Sequence, residues 1–473
     1  MATSSITQAL FAQAAQHAAE YRRTVGDAAP PLSYAAMHAA FDAPTPERGM
    51  PAAEVVEDLV ARSVPGLRAM TGPRFFGWVI GASHPVGVAA DWLTAAWGQN
   101  AGNHEASPAA AAAETVAAQW LLDLLDLPRD ASVGFVTGAT IASFVCLAAA
   151  RGAVLRRAGW NVEADGLFGA PPIHVLIGDD AHTSVFSALQ FLGLGHDRVV
   201  RIATDAQGRM LARDVARAIV ACAGPTIIIV QAGQLNTGAF DPIGEIVALA
   251  RQCGAWVHVD GAFGLWARAC QATAHLAAGF EAADSWATDG HKWLQTPYDC
   301  GYAIVRDAEA HRSAMTIAAS YLPPVAAGER DPSHFVPELS RRARGFATWA
   351  MICHLGRDGI AAMVAEHCRL AKHMAARLAC EVGVHVLNDV VLNQIIVRFG
   401  ARDADDAADR MTLETIRRTQ ADGTCFAGGA RWRDRWVMRL SVISAPTTEA
   451  DIEQACDAIC AAWRGVSGSN VSR

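Results

Sequence analysis

The chain has 473 residues, of which 52% are hydrophobic and 18% charged, and its formal net charge is −8. It is too long for one small core and too apolar for a disordered protein, so we expect two or three packed units. The mildly acidic balance provides no clustered basic surface, which argues against a nucleic-acid-binding protein.

Neither a membrane span nor a secretory signal is predicted. The apolar run from Ile141 to Ala150 is too short to cross a bilayer. The first residues lack a basic region ahead of an apolar stretch, which a secretory signal requires. Eleven cysteines are present without a CxxC pair. This usage is typical of reduced thiols, so the cytoplasm is the predicted compartment.

Residues 1–75 are rich in alanine and carry apolar residues at helical spacing, with turns at Pro30, Pro31 and Pro44. This pattern predicts a helical arm rather than a separate domain. From about residue 130 to 305, short β-rich runs alternate with helical runs. Such alternation is typical of an α/β unit.

Six strands are predicted in that central region: SVGFVT, IHVLIGD, TIIIVQAG, AWVHVD, SWATD and GYAIV. Most of them are nearly continuous apolar runs, which are typical of strands buried on both faces. They therefore predict a mostly parallel sheet covered by helices. We assign this large domain to residues 76–350.

Beyond about residue 350, two helices precede a strand in VVLNQIIVRF. A helix near 406–419, a strand in RWVMRLSVI and a closing helix follow. This order predicts a smaller α+β domain over residues 351–473. The first two helices carry His354, His367, Cys368 and His373, which match no compact zinc spacing, so no metal site is predicted.

In an open α/β sheet, ligands bind outside the carboxyl ends of the strands, so the residues after each strand are candidates. After SVGFVT, Gly138-Ala139-Thr140 opens a helical run. Small residues there let backbone N–H groups and the Thr140 hydroxyl approach a phosphate. After IHVLIGD, His182 can stack on a planar ligand or move a proton. The plainer alternatives are an ordinary turn and a core histidine with satisfied hydrogen bonds.

Two further strands end in polar residues. The run TIIIVQAG leads into a polar turn with Asn236, whose amide can lie beside a ligand. The strand AWVHV ends at Asp260. A carboxylate after so apolar a strand needs a partner, because burial of an unpaired charge is costly. A pyridinium N–H is one such partner, and an N-cap or a structural salt bridge is the alternative.

Only two of the 39 basic residues are lysines, Lys292 and Lys372. Lys372 has helical spacing and is expected on a solvated face. Lys292 follows the strand SWATD, and lysine, unlike arginine, can form an imine once its ammonium is deprotonated. A phosphate cradle, a stacking histidine, a carboxylate for a ring nitrogen and this amine are together the parts that pyridoxal 5′-phosphate (PLP) requires.

Several segments resemble the group II PLP-dependent amino acid decarboxylases: SWATDGHKWLQTPYDCG, HVDGAFG, DDAHTSV and RFFGWVIGASHP…NHEASPAAAAAE. That family includes the aromatic-L-amino-acid, tyrosine, glutamate and diaminobutyrate decarboxylases. The resemblance extends from about residue 50 to 460. It implies a fold type I PLP-dependent transferase that is a homodimer, with active sites at the interface and the N-terminal arm wrapped around the partner.

The resemblance also implies a role for each matching residue. Lys292 corresponds to the Schiff-base lysine, Asp260 to the partner of the pyridine nitrogen and His182 to the histidine stacked on the ring. Tyr321, in AASYLPP, corresponds to the mobile-loop tyrosine with which the family protonates the product carbanion. The remaining implied cofactor contacts are Ala139 and Thr140 at the phosphate, and Asn236 and Asp289 along the cofactor.

The sequence departs from the aromatic decarboxylases in two places. Residues 102–105, Gly-Asn-His-Glu, stand where those enzymes carry aromatic residues, and Gly81 stands where they often have threonine. Both departures argue against an aromatic substrate, although Phe76 and Trp78 can form an apolar wall. We expect Gly81, Phe76, Trp78 and His104 on the substrate side, with helix capping as the alternative for His104.

The predicted reaction is decarboxylation of an L-amino acid to the amine and CO2 through a Schiff base on Lys292. Tyr321 favours this over transamination, aldol-type lyase chemistry and decarboxylation-coupled oxidative deamination. A non-catalytic PLP-binding scaffold is a further alternative, against which the lysine, aspartate and histidine argue. Aromatic, acidic and diamino acids all stay open as substrates.

Overall fold

The computed structural model describes residues 2–316, 330–403 and 405–470. Three helices form the N-terminal arm: α1 (Ala2–Thr24), α2 (Tyr34–Phe41) and α3 (Ala52–Ser63). Helix α2 begins after Ser33, whose hydroxyl accepts a hydrogen bond from the Ala36 N–H at 3.3 Å, the usual arrangement at a helix N-cap. The helical arm predicted from the sequence is confirmed.

Seven strands form the main sheet: β1 (Ser132–Val136), β2 (His174–Gly178), β3 (Val200–Ile202), β4 (Thr226–Gln231), β5 (Trp256–Asp260), β6 (Ser285–Asp289) and β7 (Gly301–Val305). Their order is β1-β7-β6-β5-β4-β2-β3. Strand β7 is antiparallel to both neighbours, and the other pairs are parallel. The predicted, mostly parallel sheet is confirmed. Strand β3 is absent from the prediction because it is short and only partly buried.

Eight helices accompany this sheet: α4 (Pro85–Trp97), α5 (Pro108–Leu124), α6 (Ala139–Arg157), α7 (Val162–Asp165), α8 (Thr183–Phe191), α9 (Ala212–Ala221), α10 (Ile243–Cys253) and α11 (Ala308–Met315). One described helix, α6, is long and apolar enough to cross a membrane, but 72% of its most apolar window is buried inside the protein. It packs against β5, β6 and β7, as the core helix of a folded domain does. The apolar run at 141–150 is part of this longer helix.

The small domain contains α12 (Arg344–Ala379), β8 (Val384–Val386), β9 (Gln394–Phe399), α13 (Asp406–Asp422), β10 (Gly428–Trp432), β11 (Arg435–Ser441) and α14 (Glu449–Asn470). Its four strands have the order β10-β11-β9-β8, with antiparallel pairs throughout. Helix α12 is interrupted at Gly356, where φ is 60°, so it corresponds to the two helices predicted there. The α+β character of this unit is confirmed.

A buried ion cluster ties the segment before α12 to the main sheet. Glu114 on α5 is fully buried, and its carboxylate lies 2.9 Å from Arg341 and 3.3 Å from Arg330. Arg341 also donates to the carbonyl of Phe135 on β1 at 2.7 Å. Removal of one partner from such a cluster leaves an uncompensated buried charge.

We expect Glu114→Gln to lower the free energy of unfolding by about 3 kcal/mol, because it leaves both guanidinium groups without a counter-charge. Glu366→Gln is the matched control. Glu366 pairs with Arg369 on an exposed helix face, where loss of the pair costs about 0–1 kcal/mol. Urea unfolding monitored by circular dichroism measures both variants. Equal shifts of the two unfolding midpoints would show that the buried cluster stabilises the protein no more than the exposed pair does.

Candidate active site

A cavity of about 360 Å³ opens at the carboxyl edge of the main sheet, a size typical of small-ligand sites. Strands β1, β2, β4, β5 and β6 all run in one direction, so the loops that follow them meet at this edge. Strand β11 of the small domain contributes to the opposite wall. Seven residues predicted from the sequence line the cavity: Trp78, Ala139, Thr140, His182, Asp260, Asp289 and Lys292.

The N-terminus of α6 lies at one end of the cavity. The Ala139 N–H donates a hydrogen bond to Asp289 at 2.6 Å, so a carboxylate occupies part of this positively polarised helix end. A Cβ on Gly138 would lie 3.0 Å from the His291 ring. A larger residue would therefore fill the space beside the helix end. The other N–H groups of the first turn and the Thr140 hydroxyl are the donors that a phosphate could use.

Lys292 lies in the turn after β6, with most of its side chain buried. Its Nζ is 3.1 Å from the Asp289 carboxylate and 6.0 Å from the centroid of the Phe263 ring. The turn is held from outside by Gly81, whose N–H donates to the carbonyl of His291 at 3.2 Å. The primary amine is thus fixed beside the carboxylate, at the mouth of an otherwise partly apolar cavity.

Asp260 is the last residue of β5 and is 6% exposed. One carboxylate oxygen accepts a hydrogen bond from the Ala262 N–H at 3.3 Å. The other has no hydrogen-bond partner among the described residues. Burial raises the pKa of Asp260, and the nearby His182 and Lys292 partly oppose that shift. An additional N–H donor in the cavity would therefore stabilise the ionised carboxylate.

His182 caps the N-terminus of α8. Its Nδ1 accepts a hydrogen bond from the Ser184 N–H at 3.2 Å and lies 2.7 Å from the Ser184 hydroxyl. Partial desolvation by the surrounding protein lowers the pKa of His182 and the charge of Asp260 opposes this shift, while the side chain keeps an exposed face. The two bonds to Ser184 fix one edge of a neutral ring that lines the cavity.

These groups fit the cofactor predicted from the sequence. PLP has an anionic phosphate, a pyridine nitrogen that can carry a proton, and an aldehyde that reacts with amines. The cavity offers a helix N-terminus at Ala139, a carboxylate oxygen of Asp260 without a partner, and the Lys292 amine. The space beside Gly138 would be lost if a side chain were added there.

The cavity residues that the sequence prediction missed include Arg439 and Tyr298. Arg439 on β11 lines the cavity, and its side chain makes no hydrogen bond or ion pair with any described residue. The sequence did carry a signal for Arg439, because it lies within the apolar strand RWVMRLSVI and arginine is rarely buried without a partner. The ring of Tyr298 stacks on His291 with centroids 4.3 Å apart.

Among the predicted substrate residues, only Trp78 lines the cavity. Its indole is tilted against Phe75 and Phe426, at centroid distances of 6.0 and 5.1 Å. Its φ of 52° lies in the left-handed region, which is uncommon for a bulky residue and persists where the surroundings hold it. Contacts with the small domain therefore hold this aromatic wall in position.

Phe76 and Gly81 do not line the cavity, so substrate contacts from them gain no support. Phe76 is 1% exposed and is enclosed in the apolar core of the small domain. A Cβ on Gly81 would lie 2.2 Å from the Lys292 carbonyl oxygen. Gly81 thus permits close packing of two backbone segments.

The other predicted residues have different surroundings. Asn236 is buried beside the cavity without lining it, and its side-chain oxygen has no hydrogen-bond partner among the described residues. His104 lies outside the cavity, with Nδ1 2.6 Å from the Asp331 carboxylate. Tyr321 lies outside the described residues, so its role stays a prediction.

Comparison with known proteins identifies the family. The model of the pyridoxal-dependent decarboxylase conserved domain matches residues 35–399. Tryptophan decarboxylase 1 of rice, Oryza sativa subsp. japonica, is 29% identical over 434 residues, covering 85% of this chain and 83% of its own. A phenylacetaldehyde synthase of Arabidopsis thaliana is 25% identical over 454 residues, covering 91% and 90%.

The fold is also similar to that of a solved structure. The crystal structure of Oryza sativa TDC with PLP and tryptamine matches with a TM-score of 0.89 at 23% identity, covering 97% of this chain and 98% of the other. The family model spans most of the chain, including every strand end that lines the cavity. PLP is the cofactor of this family. The chain belongs to the pyridoxal-dependent decarboxylases and is a PLP-dependent carboxy-lyase.

Proposed function

We propose that the protein decarboxylates an L-amino acid to the corresponding amine and CO2. The observation that carries this proposal is the convergence of Lys292, Asp260 and Arg439 on one cavity. They offer an amine, a carboxylate and a cation within reach of one bound amino acid. PLP, when bound, supplies the electron sink for the electron pair left by the departing carboxylate.

Each of these residues has a distinct task. Lys292 would hold the cofactor covalently through Nζ. The oxygen of Asp260 that has no hydrogen-bond partner among the described residues would hold a proton on the pyridine nitrogen, which would strengthen the electron sink. His182, whose pKa is lowered, would lie against the ring without adding a second positive charge beside Lys292. Tyr321 stays the proposed donor of the proton to Cα.

Arg439 orients the substrate in this proposal. Its guanidinium, which has no partner in the described part of the chain, matches the planar geometry of a carboxylate. Trp78, Leu235 and Phe263 form an apolar part of the wall. An amino acid whose carboxylate faces Arg439 can therefore place an apolar side chain against this wall.

We expect Arg439→Met to lower kcat/KM for the amino acid substrate by about 10- to 100-fold, the usual effect of losing hydrogen bonds to a charged group. Most of the change should appear in KM, since binding of the carboxylate is weakened. Arg435→Met is the matched control, because Arg435 lies on the same strand and donates outside the cavity, to the Arg402 carbonyl. An unchanged KM in Arg439→Met would contradict the assignment.

The proposed reaction is tested by incubating the PLP-loaded protein with L-tryptophan, L-phenylalanine, L-glutamate and L-2,4-diaminobutyrate. We expect CO2 and an equal amount of amine from at least one of them. Aldehyde, ammonia and hydrogen peroxide in place of the amine would indicate oxidative deamination, for which the similarity to a phenylacetaldehyde synthase is the supporting observation. No CO2 from any of the four would count against decarboxylation of these classes.

We further propose that the protein is a homodimer. The N-terminal arm and α4 expose large apolar side chains that an isolated chain would leave in water. These side chains are Ile6, Phe11, Tyr34, Leu59, Trp92 and Trp97. Light scattering of the purified protein should give twice the mass of the chain, and a value equal to one chain would exclude the dimer.

We also propose the cytoplasm as its compartment. All eleven cysteines are free thiols, and only Cys253, Cys353 and Cys380 are exposed. Free thiols are maintained by the reducing conditions of the cytosol. Cell fractionation followed by immunodetection would test this assignment.

A further inference from the structure

The tip of the β10–β11 hairpin contacts the large domain close to the active site. The two strands are joined by Arg433 and Asp434, with Trp432 paired to Arg435 in the last register position. Both turn residues have positive φ values, 50° and 62°. A two-residue turn of this kind usually contains Gly or Asn, because other side chains are strained there.

The side chain of Arg433 joins the two domains. It donates to the Asp180 carboxylate and to the Thr204 hydroxyl, both at 2.8 Å, and to the carbonyl of Asp205. Thr204 in turn donates to the same carboxylate. The guanidinium carbon also lies 5.2 Å from the centroid of the Trp432 ring. A single cation of the small domain thus holds two loops of the large domain.

Trp432 adds close packing to the charged contact made by Arg433. It is 3% exposed. A Cβ on Gly208 would lie 2.9 Å from the Trp432 ring and 3.1 Å from the Gln234 side chain. Gln234 donates to the Asp180 carbonyl at 3.0 Å, so the main chain and the side chain of Asp180 are both fixed.

The two ends of this contact lead into the active site. Asp180 is two residues before His182, and α8 begins directly after that histidine. Six residues beyond Arg433, the same hairpin carries Arg439 into the cavity. The distance between these two cavity walls therefore depends on how the hairpin tip is docked.

We infer that Arg433 is a positioning residue, whose contact with Asp180 sets the placement of Arg439 relative to His182. The inference rests on the proposed function, in which Arg439 receives the substrate carboxylate and His182 lies on the cofactor ring. Neither Arg433 nor Asp180 lines the cavity. They act through the two residues that do.

The test compares Arg433→Met, Asp180→Asn and the double variant as PLP-loaded protein. The probe is whichever of L-tryptophan, L-phenylalanine, L-glutamate and L-2,4-diaminobutyrate the native protein decarboxylates fastest. We expect KM to rise about fivefold in each single variant, the effect of losing a partly exposed ion pair with good geometry. We expect kcat to stay within about twofold. The double variant should match the single variants, because both remove the same contact.

Two further variants separate positioning from general damage. Arg433→Lys keeps the charge near Asp180, so its KM should lie between those of the native protein and Arg433→Met. Arg431→Met removes an exposed arginine from the same hairpin, one whose side chain donates to the turn residue Asp434. Arg431 makes none of the hydrogen bonds that Arg433 makes to Asp180, Thr204 and Asp205, so its replacement should leave KM and kcat unchanged. Additive effects in the double variant, or equal effects in Arg431→Met, would overturn the inference.

Hydrogen exchange measured by mass spectrometry gives a readout that does not depend on activity. In Arg433→Met, exchange should increase in peptides that cover residues 178–190 and 428–441, and it should not increase in Arg431→Met. If the native protein releases no CO2, the proposed reaction fails, but this measurement still decides whether the contact between Arg433 and Asp180 holds the two segments together. Unchanged exchange in both peptides of Arg433→Met would overturn the inference that Arg433 holds these segments, whatever the activity.

Discussion

Replacement of Lys292 by arginine is expected to abolish both amine formation and the visible absorbance of bound PLP, while the protein stays folded. Arginine keeps the positive charge that pairs with Asp289, but its guanidinium cannot form an imine. The loss is therefore chemical rather than structural. Titration of the purified protein with PLP, followed by absorbance, measures the first effect, and CO2 release measures the second.

The chain offers a matched control in its other lysine. Lys372 is exposed on α12, so Lys372→Arg should keep both the absorbance and the activity. Borohydride reduction of the native protein should leave cofactor covalently attached to a peptide that contains Lys292, as detected by mass spectrometry. Covalent cofactor in Lys292→Arg would remove Lys292 from its proposed role.

Replacement of Asp260 by asparagine is expected to lower turnover by several orders of magnitude, with a smaller loss of cofactor binding. A neutral amide does not stabilise a protonated pyridine nitrogen, and a thousandfold loss corresponds to roughly 4 kcal/mol of transition-state stabilisation. The donors at the α6 N-terminus are unchanged, so PLP should still bind. Turnover and the dissociation constant of PLP are measured side by side. Near-normal turnover would mean that the carboxylate has a structural role only.

Asp241→Asn serves as the control for neutralising a buried carboxylate. Asp241 accepts hydrogen bonds from the N–H groups of Met210 and Gln231, each at 2.7 Å, and does not line the cavity. The variant should lose stability and keep its turnover per folded molecule. A parallel loss of turnover in both variants would indicate general damage to the fold.

The pH dependence of the cofactor-free protein gives a further check on Asp260. Burial raises its pKa, so the folded state binds this proton more tightly than the unfolded state does. The resulting stabilisation is complete below the unfolded pKa of about 3.9 and is lost as the pH rises through the raised value. Asparagine has no proton to lose. The melting temperature of cofactor-free Asp260→Asn should therefore fall less than that of the native protein over this pH range.

The predictable part of the site follows from short-range sequence patterns. Nearly continuous apolar runs identify strands buried on both faces, and parallel strands present their carboxyl ends at one edge of the sheet. Asp260 ends such a run, and Ala139, His182 and Lys292 lie shortly after such runs, so their meeting at one cavity could be inferred from local order. The rarity of lysine in this chain added a signal that singled out Lys292.

The sequence by itself thus determined the fold class, the cofactor and the candidate residues at the strand ends, while tertiary structure alone decided which other side chains line the cavity. Arg439 and Tyr298 reach the cavity through the docking of the small domain and through the turn beyond Lys292. Phe76 and Trp78 are two residues apart, yet one is buried in the small domain and the other lines the cavity. Such outcomes depend on packing between elements that are distant along the chain. Periodicity reports which residues are buried, but it carries no information about the neighbour that buries them.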